Sequence, residues 1–434
     1  MPDLVVFIES RRAGEIESGP GGSARFSYDG EYLRGAGNTP LSLSAPLGHE
    51  DYDIGRWLDG LLPDNIAVRR RWADRNGAAS ARPVDLLGTE VGLDCAGAVQ
   101  FCRPGNEASL DSRGGGLEPQ SEHDVAEWIR RARRDWSAWE GLGSSGQFSL
   151  AGAQAKCAVH WDGSQWCAPY GDTPTTHILK PGVEGYTDAE VVEHVCLTAA
   201  RHLGLESAET QLLRFEAERA LAVTRFDRVH QGGALHRRHN EDLCQALGLD
   251  PEQKYQIDGG PGPRQVAELL LQESSDRRAD RWRFCEALIF NWAIAAPDAH
   301  AKNYSLALDG PAVRLAPLYD VVSFLPYAQG DPRNISTAMA AGDDRTWRAS
   351  SDPQAWARLA EAMSLDTGAV VDRAAELTRL TPRVISDAID SLPARERRSR
   401  ALPPLHRMVK ALSDEALGAF AKSRPRPSEE HGGP

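Results

Sequence analysis

Asp298-Ala299-His300-Ala301-Lys302-Asn303 is the stretch from which the rest of the chain can be read. An aspartate followed five positions later by an asparagine lets a carboxylate orient an attacking hydroxyl while an amide oxygen holds magnesium. That is the spacing of a phosphoryl-transfer loop. The residues before it fit a helix, because Phe284, Leu288, Trp292 and Ala295 recur at steps of three and four. Pro297 predicts the end of that helix, so Asp298 is expected on a loop. The pattern alone is short enough to arise by chance, so its weight depends on partner motifs standing in the matching order.

Upstream, Ser149-Leu150-Ala151-Gly152-Ala153-Gln154-Ala155-Lys156 lies between two strand candidates. Its small residues would let backbone N–H groups approach phosphates, although its spacing is neither a G-x-G-x-x-G motif nor a P-loop. Thr176-His177-Ile178-Leu179-Lys180 reads as a strand with Ile178 and Lys180 on one face. A lysine on such a floor reaches phosphate oxygens and pairs with a helix glutamate; Glu190 and Glu193 on the next helix are the candidates. Downstream, a hairpin turning at Asp309-Gly310 leads to Leu318-Tyr319-Asp320. Asn303 and Asp320 supply the oxygen ligands magnesium prefers. No H-E-x-x-H, G-x-S-x-G or C-x-x-C motif competes.

The 434 residues suffice for two or three domains, and 41% hydrophobic with 26% charged residues is an ordinary globular balance. The formal charge of −13 argues against a general nucleic-acid binder. No apolar run reaches the ~18 residues of a membrane span, and the N-terminus lacks the basic region of a signal peptide, so a cytoplasmic protein without membrane contact is expected. Seven cysteines without a C-x-x-C pair suggest structural thiols in a reducing compartment.

The expected fold class is α+β: an N-terminal α+β domain, then a two-lobed kinase-like core with a β-rich lobe and a mainly helical C-lobe. Residues 1–104 carry strand-like runs Leu4–Ile8, Ala24–Tyr28, Leu41–Leu43 and Val99–Cys102, with a helical stretch from Ile54 through Trp72. Residues 105–146 read as a connector and a helix, Asp124–Trp139, with Val125, Trp128, Ile129, Ala132 and Trp136 on one face. Residues 147–238 form the ATP lobe, with strands Gln147–Leu150, Cys157–Trp161, Trp166–Pro169, Thr176–Leu179 and Leu221–Thr224 around a helix from Asp188 to about His202. Residues 239–420 form the helical lobe with the catalytic loop, and residues 421–434 a disordered tail.

The ordered motifs resemble those of the HipA family, the serine/threonine-kinase toxins of bacterial HipBA toxin–antitoxin modules. The likeness rests on residues 148–156, Thr176-His-Ile-Leu-Lys-Pro181, Arg225-Phe-Asp-Arg228, residues 240–248, the 298–303 loop and Pro317-Leu-Tyr-Asp320. Pro40–Pro46 and Leu61-Leu-Pro-Asp64 add the family's N-terminal part. The resemblance implies that Ala151, Gly152, Ala153, Gln154, Ala155 and Lys156 form the phosphate loop and that Lys180 contacts ATP. Thr224, Arg225 and Phe226 would form the hinge beside adenine. Asp298 would be the catalytic base, and His300, Ala301, Lys302, Asn303, Tyr319 and Asp320 would line the nucleotide, with Asn303 and Asp320 on Mg2+. It favours Glu193 over Glu190 as the partner of Lys180, and makes Ser149 an inactivating autophosphorylation site.

The resemblance also implies a HipB-like helix-turn-helix antitoxin, operator DNA met indirectly through it, and a protein substrate with glutamyl-tRNA synthetase as leading candidate. Growth arrest and persistence would follow. Two other readings stand beside it: a non-catalytic co-repressor acting with a DNA-binding antitoxin, and a kinase of a small molecule or lipid.

Overall fold

The computed structural model describes residues 2–19, 22–107, 110, 115–135, 149, 152, 154–342 and 344–423. Expectations for the strand Gln147–Leu150 (Ser149 apart), for Ala151, Ala153 and Trp136, and for the tail from residue 424 lie outside these residues.

The continuous apolar run Leu4–Ile8 forms β1, wholly buried at the heart of the front sheet. β2 (Arg11–Ser18), β3 (Ala24–Tyr28), β4 (Tyr52–Asp53) and β5 (Val99–Cys102) complete it in the order β4-β3-β2-β1-β5. Leu41–Leu43 is not a strand: Ser42 only bridges Ala45, closing a turn after Pro40. The expected helix from Ile54 to Trp72 is two helices, Gly55–Asp59 and α1 (Ile66–Asn76). Pro63 lacks the N–H that a continuous helix needs, and Asn65 caps α1 by accepting from the Ala67 amide.

The helix α2 spans Glu122–Arg134 and exits through Asp135, short of the expected Trp139. The segment read as a connector contributes β6 (Gly116–Pro119) to a six-stranded sheet. β7 (Cys157–Trp161), β8 (Trp166–Tyr170), β9 (His177–Pro181), β10 (Thr210–Phe215) and β11 (Glu218–Thr224) order it as β10-β11-β9-β7-β8-β6. One apolar core is shared by the front sheet, α2 and this sheet: Phe26, Trp57, Phe101, Trp128, Val159 and Leu179 all belong to it. All seven cysteines are buried and free.

The helix α3 (Ala189–His202) faces the other core, with the helical lobe. After a hairpin of β12 (Arg228–Gln231) and β13 (Ala234–Arg237), β14 (His239–Asp242) pairs with β15 (Ser305–Asp309), which pairs with β16 (Ala312–Leu315). Around this small sheet lie α4 (Pro263–Glu273), α5 (Arg277–Ala293), α6 (Pro353–Ala362), α7 (Thr367–Asp390) and α8 (Leu402–Ser423). α8 extends three residues into the stretch expected to be disordered from 421. Trp292 of α5 stacks on Trp347 at 5.4 Å and meets Trp356 edge-on.

The end of α5 sets the catalytic loop, and it is not made by Pro297. The helix stops at Ala293, and Ala295 takes a left-handed φ of 49°. The Ala296 amide then donates to the Asn291 carbonyl and the Ala295 amide to Trp292, a Schellman closure complete two residues before Asp298. An alanine there costs more than a glycine would, a strain typical of segments that aim functional residues.

Candidate active site

A cavity of about 300 Å³ opens between the two lobes and the front unit. Its floor is β9. Pairing to β7 and β11 fixes Lys180 there, and the buried Nζ donates to Glu193 Oε1 and to Asp320 Oδ1, each at 2.7 Å. Glu193 is therefore the helix partner; Glu190 turns to Arg219 instead. Burial opposes the charge on Lys180, but Asp320 and Glu193 hold it firmly protonated. Burial likewise opposes ionisation of Asp320, yet Lys180 and Lys156 hold its carboxyl well below the usual range. Asp320 sits at φ 57°, a left-handed backbone that points its carboxylate back across the cleft.

Of the phosphate loop, Gly152 has φ 110°, and a Cβ there would lie 2.7 Å from the Lys156 Nζ. Only glycine suits both conditions. Gln154 donates to the Pro181 carbonyl at 3.2 Å, and Ala155 is packed in the core beneath. Burial, with Lys180 nearby, pulls the Lys156 ammonium down to about 8. Ser149 is buried outside the cavity; its hydroxyl donates to the Leu61 carbonyl at 2.7 Å and its amide to Asp94.

The catalytic loop presents Asp298 at the cavity mouth with its side chain 62% exposed. The Asn303 amide donates to the Asp298 carbonyl at 2.6 Å, closing the loop on itself. His300 is buried, burial lowers its proton affinity, and its Nδ1 has no partner. Lys302 turns inward to Asp242 at 2.9 Å and to the Gly60 carbonyl at 3.3 Å, so its ammonium is a brace. Ala301 packs in the core and does not line the cavity. Tyr319 donates to the Lys302 carbonyl at 2.8 Å and stacks on Phe226 at 5.6 Å.

Thr224, Arg225 and Phe226 reach the cavity wall beside Ile178 and Val223, a surface with the apolar character a purine needs. The Arg225 guanidinium does not face the nucleotide side. It is buried against Asp227, Thr175 and Asp94.

The residues fit a magnesium nucleotide. Two lysines and an orphaned imidazole nitrogen converge on the cavity, and Asn303 and Asp320 line it with oxygen donors. Among the described residues no group of three or more His, Cys, Asp or Glu gathers as a metal cage. Magnesium bound with phosphates needs only one or two carboxylates.

Sequence reasoning missed the contribution of the front unit. Gly60 and Asp64 line the cavity, Pro63 bridges Gly152, and the Asp64 amide donates to the Gly152 carbonyl at 3.1 Å. Asn240, Asp242, Gln245 and Lys254 also line it. Residues 61–64 and 240–248 stood out as motifs without a chemical role; nothing in the sequence marked Lys254.

A family model described as the HipA N-terminal domain matches residues 4–102, and one described as the HipA-like C-terminal domain matches residues 148–386. A Sinorhizobium fredii protein named as a putative kinase is 30% identical over 398 residues, 89% of this chain and 92% of that one. The serine/threonine-protein kinase toxin HipA of Shewanella oneidensis is 28% identical over 376 residues, 82% of each. The solved complex of Shewanella oneidensis HipA, HipB and operator DNA includes a chain with the same fold, at TM-score 0.81 and 24% identity, covering 96% of this chain and 98% of that one.

Proposed function

The chain belongs to the HipA family of serine/threonine-protein kinases, and from that membership we propose that it transfers the γ-phosphoryl group of ATP to a serine or threonine of a protein. The observation that carries this reading is one cavity holding Lys180, its Glu193 and Asp320 partners, and Asp298 at the mouth. Lys156, Lys180 and the Gly152 turn bind the phosphates, and Thr224 to Phe226 with Tyr319 flank the base. Asp298 orients the acceptor hydroxyl and takes its proton. Asn303 and Asp320 would hold magnesium, which would supply charge neutralisation for the phosphates.

The biological setting is the toxin of a toxin–antitoxin module in the cytoplasm. No helix among the described residues is long and apolar enough to cross a membrane. A HipB-type antitoxin is the partner and the route to operator DNA, as in the Shewanella complex. The target is a translation protein, glutamyl-tRNA synthetase first among candidates, with growth arrest and persistence as consequence. Autophosphorylation of Ser149 is the off switch: a phosphate there removes the bond to Leu61 and puts two charges in a buried niche, so the loop must leave.

The test is phosphoproteomics after brief expression of wild type and Asp298→Asn without antitoxin. Wild type adds phosphosites and arrests growth; the variant does neither. A variant as toxic as wild type would sink the reading.

A further inference from the structure

Phosphoryl transfer needs cations where charge builds on the moving group, beside the base. Apart from the magnesium that Asn303 and Asp320 would hold, no side-chain cation of the catalytic loop serves that place. His300, two residues after Asp298, is buried and poorly basic. Lys302 is engaged by Asp242 and the Gly60 carbonyl. Lys156 and Lys180 belong to the phosphate loop and the strand floor, and Lys180 is already shared between two carboxylates.

Another cation lines the same cavity. Lys254 ends the short 3-10 turn Pro251–Lys254 ahead of α4, next to Tyr255, whose hydroxyl donates to Asp298 Oδ1. The Tyr255 ring packs edge-on against His300 at 4.9 Å. These two contacts tie Tyr255, the residue after Lys254, to the catalytic loop. Its Nζ rests on Asp64 Oδ2 at 2.8 Å, reaching across to the front unit. The pair is partly open, with side chains 19% and 25% exposed. The lysine stem is long and its three ammonium donors rotate, so the Nζ can reach a second oxygen partner in the cavity.

We propose that Lys254 is a further catalytic residue, which leaves Asp64 to contact the non-bridging oxygens of the phosphoryl group in transit beside Asp298. The inference rests on the kinase reading above. In the step it serves, the bond from the acceptor oxygen to phosphorus forms as the bond from phosphorus to the β–γ bridging oxygen breaks. That electron pair leaves with ADP, and the acceptor proton goes to Asp298. Lys254 gives up no proton; it supplies charge. Asp64 is its resting partner.

The experiment compares full-length wild type, Lys254→Met, Lys254→Arg and Asp64→Asn. It reads the rate of label transfer from saturating radiolabelled ATP to heat-treated lysate protein, and separately the affinity for a fluorescent ADP. Lys254→Met should slow transfer about 100-fold while binding the ADP within about threefold of wild type. Lys254→Arg should keep more than about a tenth of the rate, and Asp64→Asn should lose at least about tenfold less than Lys254→Met. Equal losses in Asp64→Asn and Lys254→Met would mean that the pair is only a structural strut, and would overturn the assignment. So would a Lys254→Met variant keeping more than about a tenth of the rate, or one that fails to bind the ADP. A wild-type chain that transfers no label while binding the ADP overturns the kinase reading itself, and the assignment with it.

Discussion

At Asp94, exchanging one carboxylate oxygen for an amide nitrogen should cost this protein several kcal/mol, about 3–5. Its carboxylate comes from the front unit and is buried. Oδ1 accepts from Arg228 at 2.8 Å and Arg237 at 3.2 Å; Oδ2 accepts from the Thr175 hydroxyl at 2.6 Å and from Arg225 at 3.4 Å. Arg225 and Arg228 share only one other carboxylate, Asp227. Asp94→Asn therefore leaves Arg225 and Arg228 to share Asp227, strips Arg237 of its carboxylate partner and aims amide hydrogens at guanidinium donors. Arg228 Nε already lacks a partner. Breaking a buried pair from one side costs about 3–5 kcal/mol, because the stranded charge keeps its desolvation penalty. One stranded guanidinium, Arg237, and two more left to share Asp227 put Asp94→Asn at the upper end of that range.

The assay is urea unfolding followed by tryptophan fluorescence, where a loss of this size lowers the midpoint by roughly 1 M or more. Arg264→Ala, which breaks the exposed Arg264–Glu268 pair, is the control and should cost under about 0.5 kcal/mol. The pH dependence carries its own sign. Burial opposes ionisation of Asp94, but Arg228, Arg225 and Arg237 hold its carboxyl well below its unfolded value. Its contribution is thus complete above the unfolded pKa of about 3.9 and is lost only as pH falls through the folded value. The gap between wild type and Asp94→Asn should stay flat from about pH 8 to 5. A gap under about 1 kcal/mol, or one that shrinks across that window, refutes the argument.

Glu193→Gln should weaken fluorescent-ADP binding about tenfold, since Lys180 exchanges a charge-assisted bond for a neutral one worth about 1.4 kcal/mol less; unchanged affinity would show that the pair does not position Lys180. Burial pushes His194 and His239 down to about 4, so between pH 6.5 and 4 the unfolded chain binds protons that the folded chain refuses. Stability should therefore fall with acidity across that window, by up to about 2.7 kcal/mol per pH unit from these two groups. His239→Gln should flatten the plot of urea midpoint against pH, and an unaltered slope would remove His239 from the account.

What could be read from the sequence was what short-range physics determines. Asp298 to Asn303, the Lys180 strand and Asp320 each sit in a segment whose periodicity and turn residues fix its local shape, and the fold brings them to one cavity. The errors arose where local cues had two outcomes. Leu41–Leu43 has strand-like residues but meets β14 through the His239 and Glu241 side chains rather than a backbone ladder, and becomes a turn. Pro297 is a helix breaker that was not needed, because the left-handed Ala295 had already ended α5. Arg225 occupies a wall of the cleft, yet its charge serves a cluster on the far side. The remaining gap is tertiary. Lys254 and Asp64 are 190 residues apart, and neither carries a periodic or motif signal that foretells the other. The same holds for Gly60 to Asp64, whose backbone meets the phosphate loop at Gly152, Ser149 at Leu61 and the catalytic loop at Lys302. Local sequence reads that stretch as part of a helix and Leu61–Asp64 as a motif with no chemical role. Because Gly152, Ser149 and Lys302 all bond to this one stretch, a change that moves it should alter phosphoryl transfer without touching Asp298.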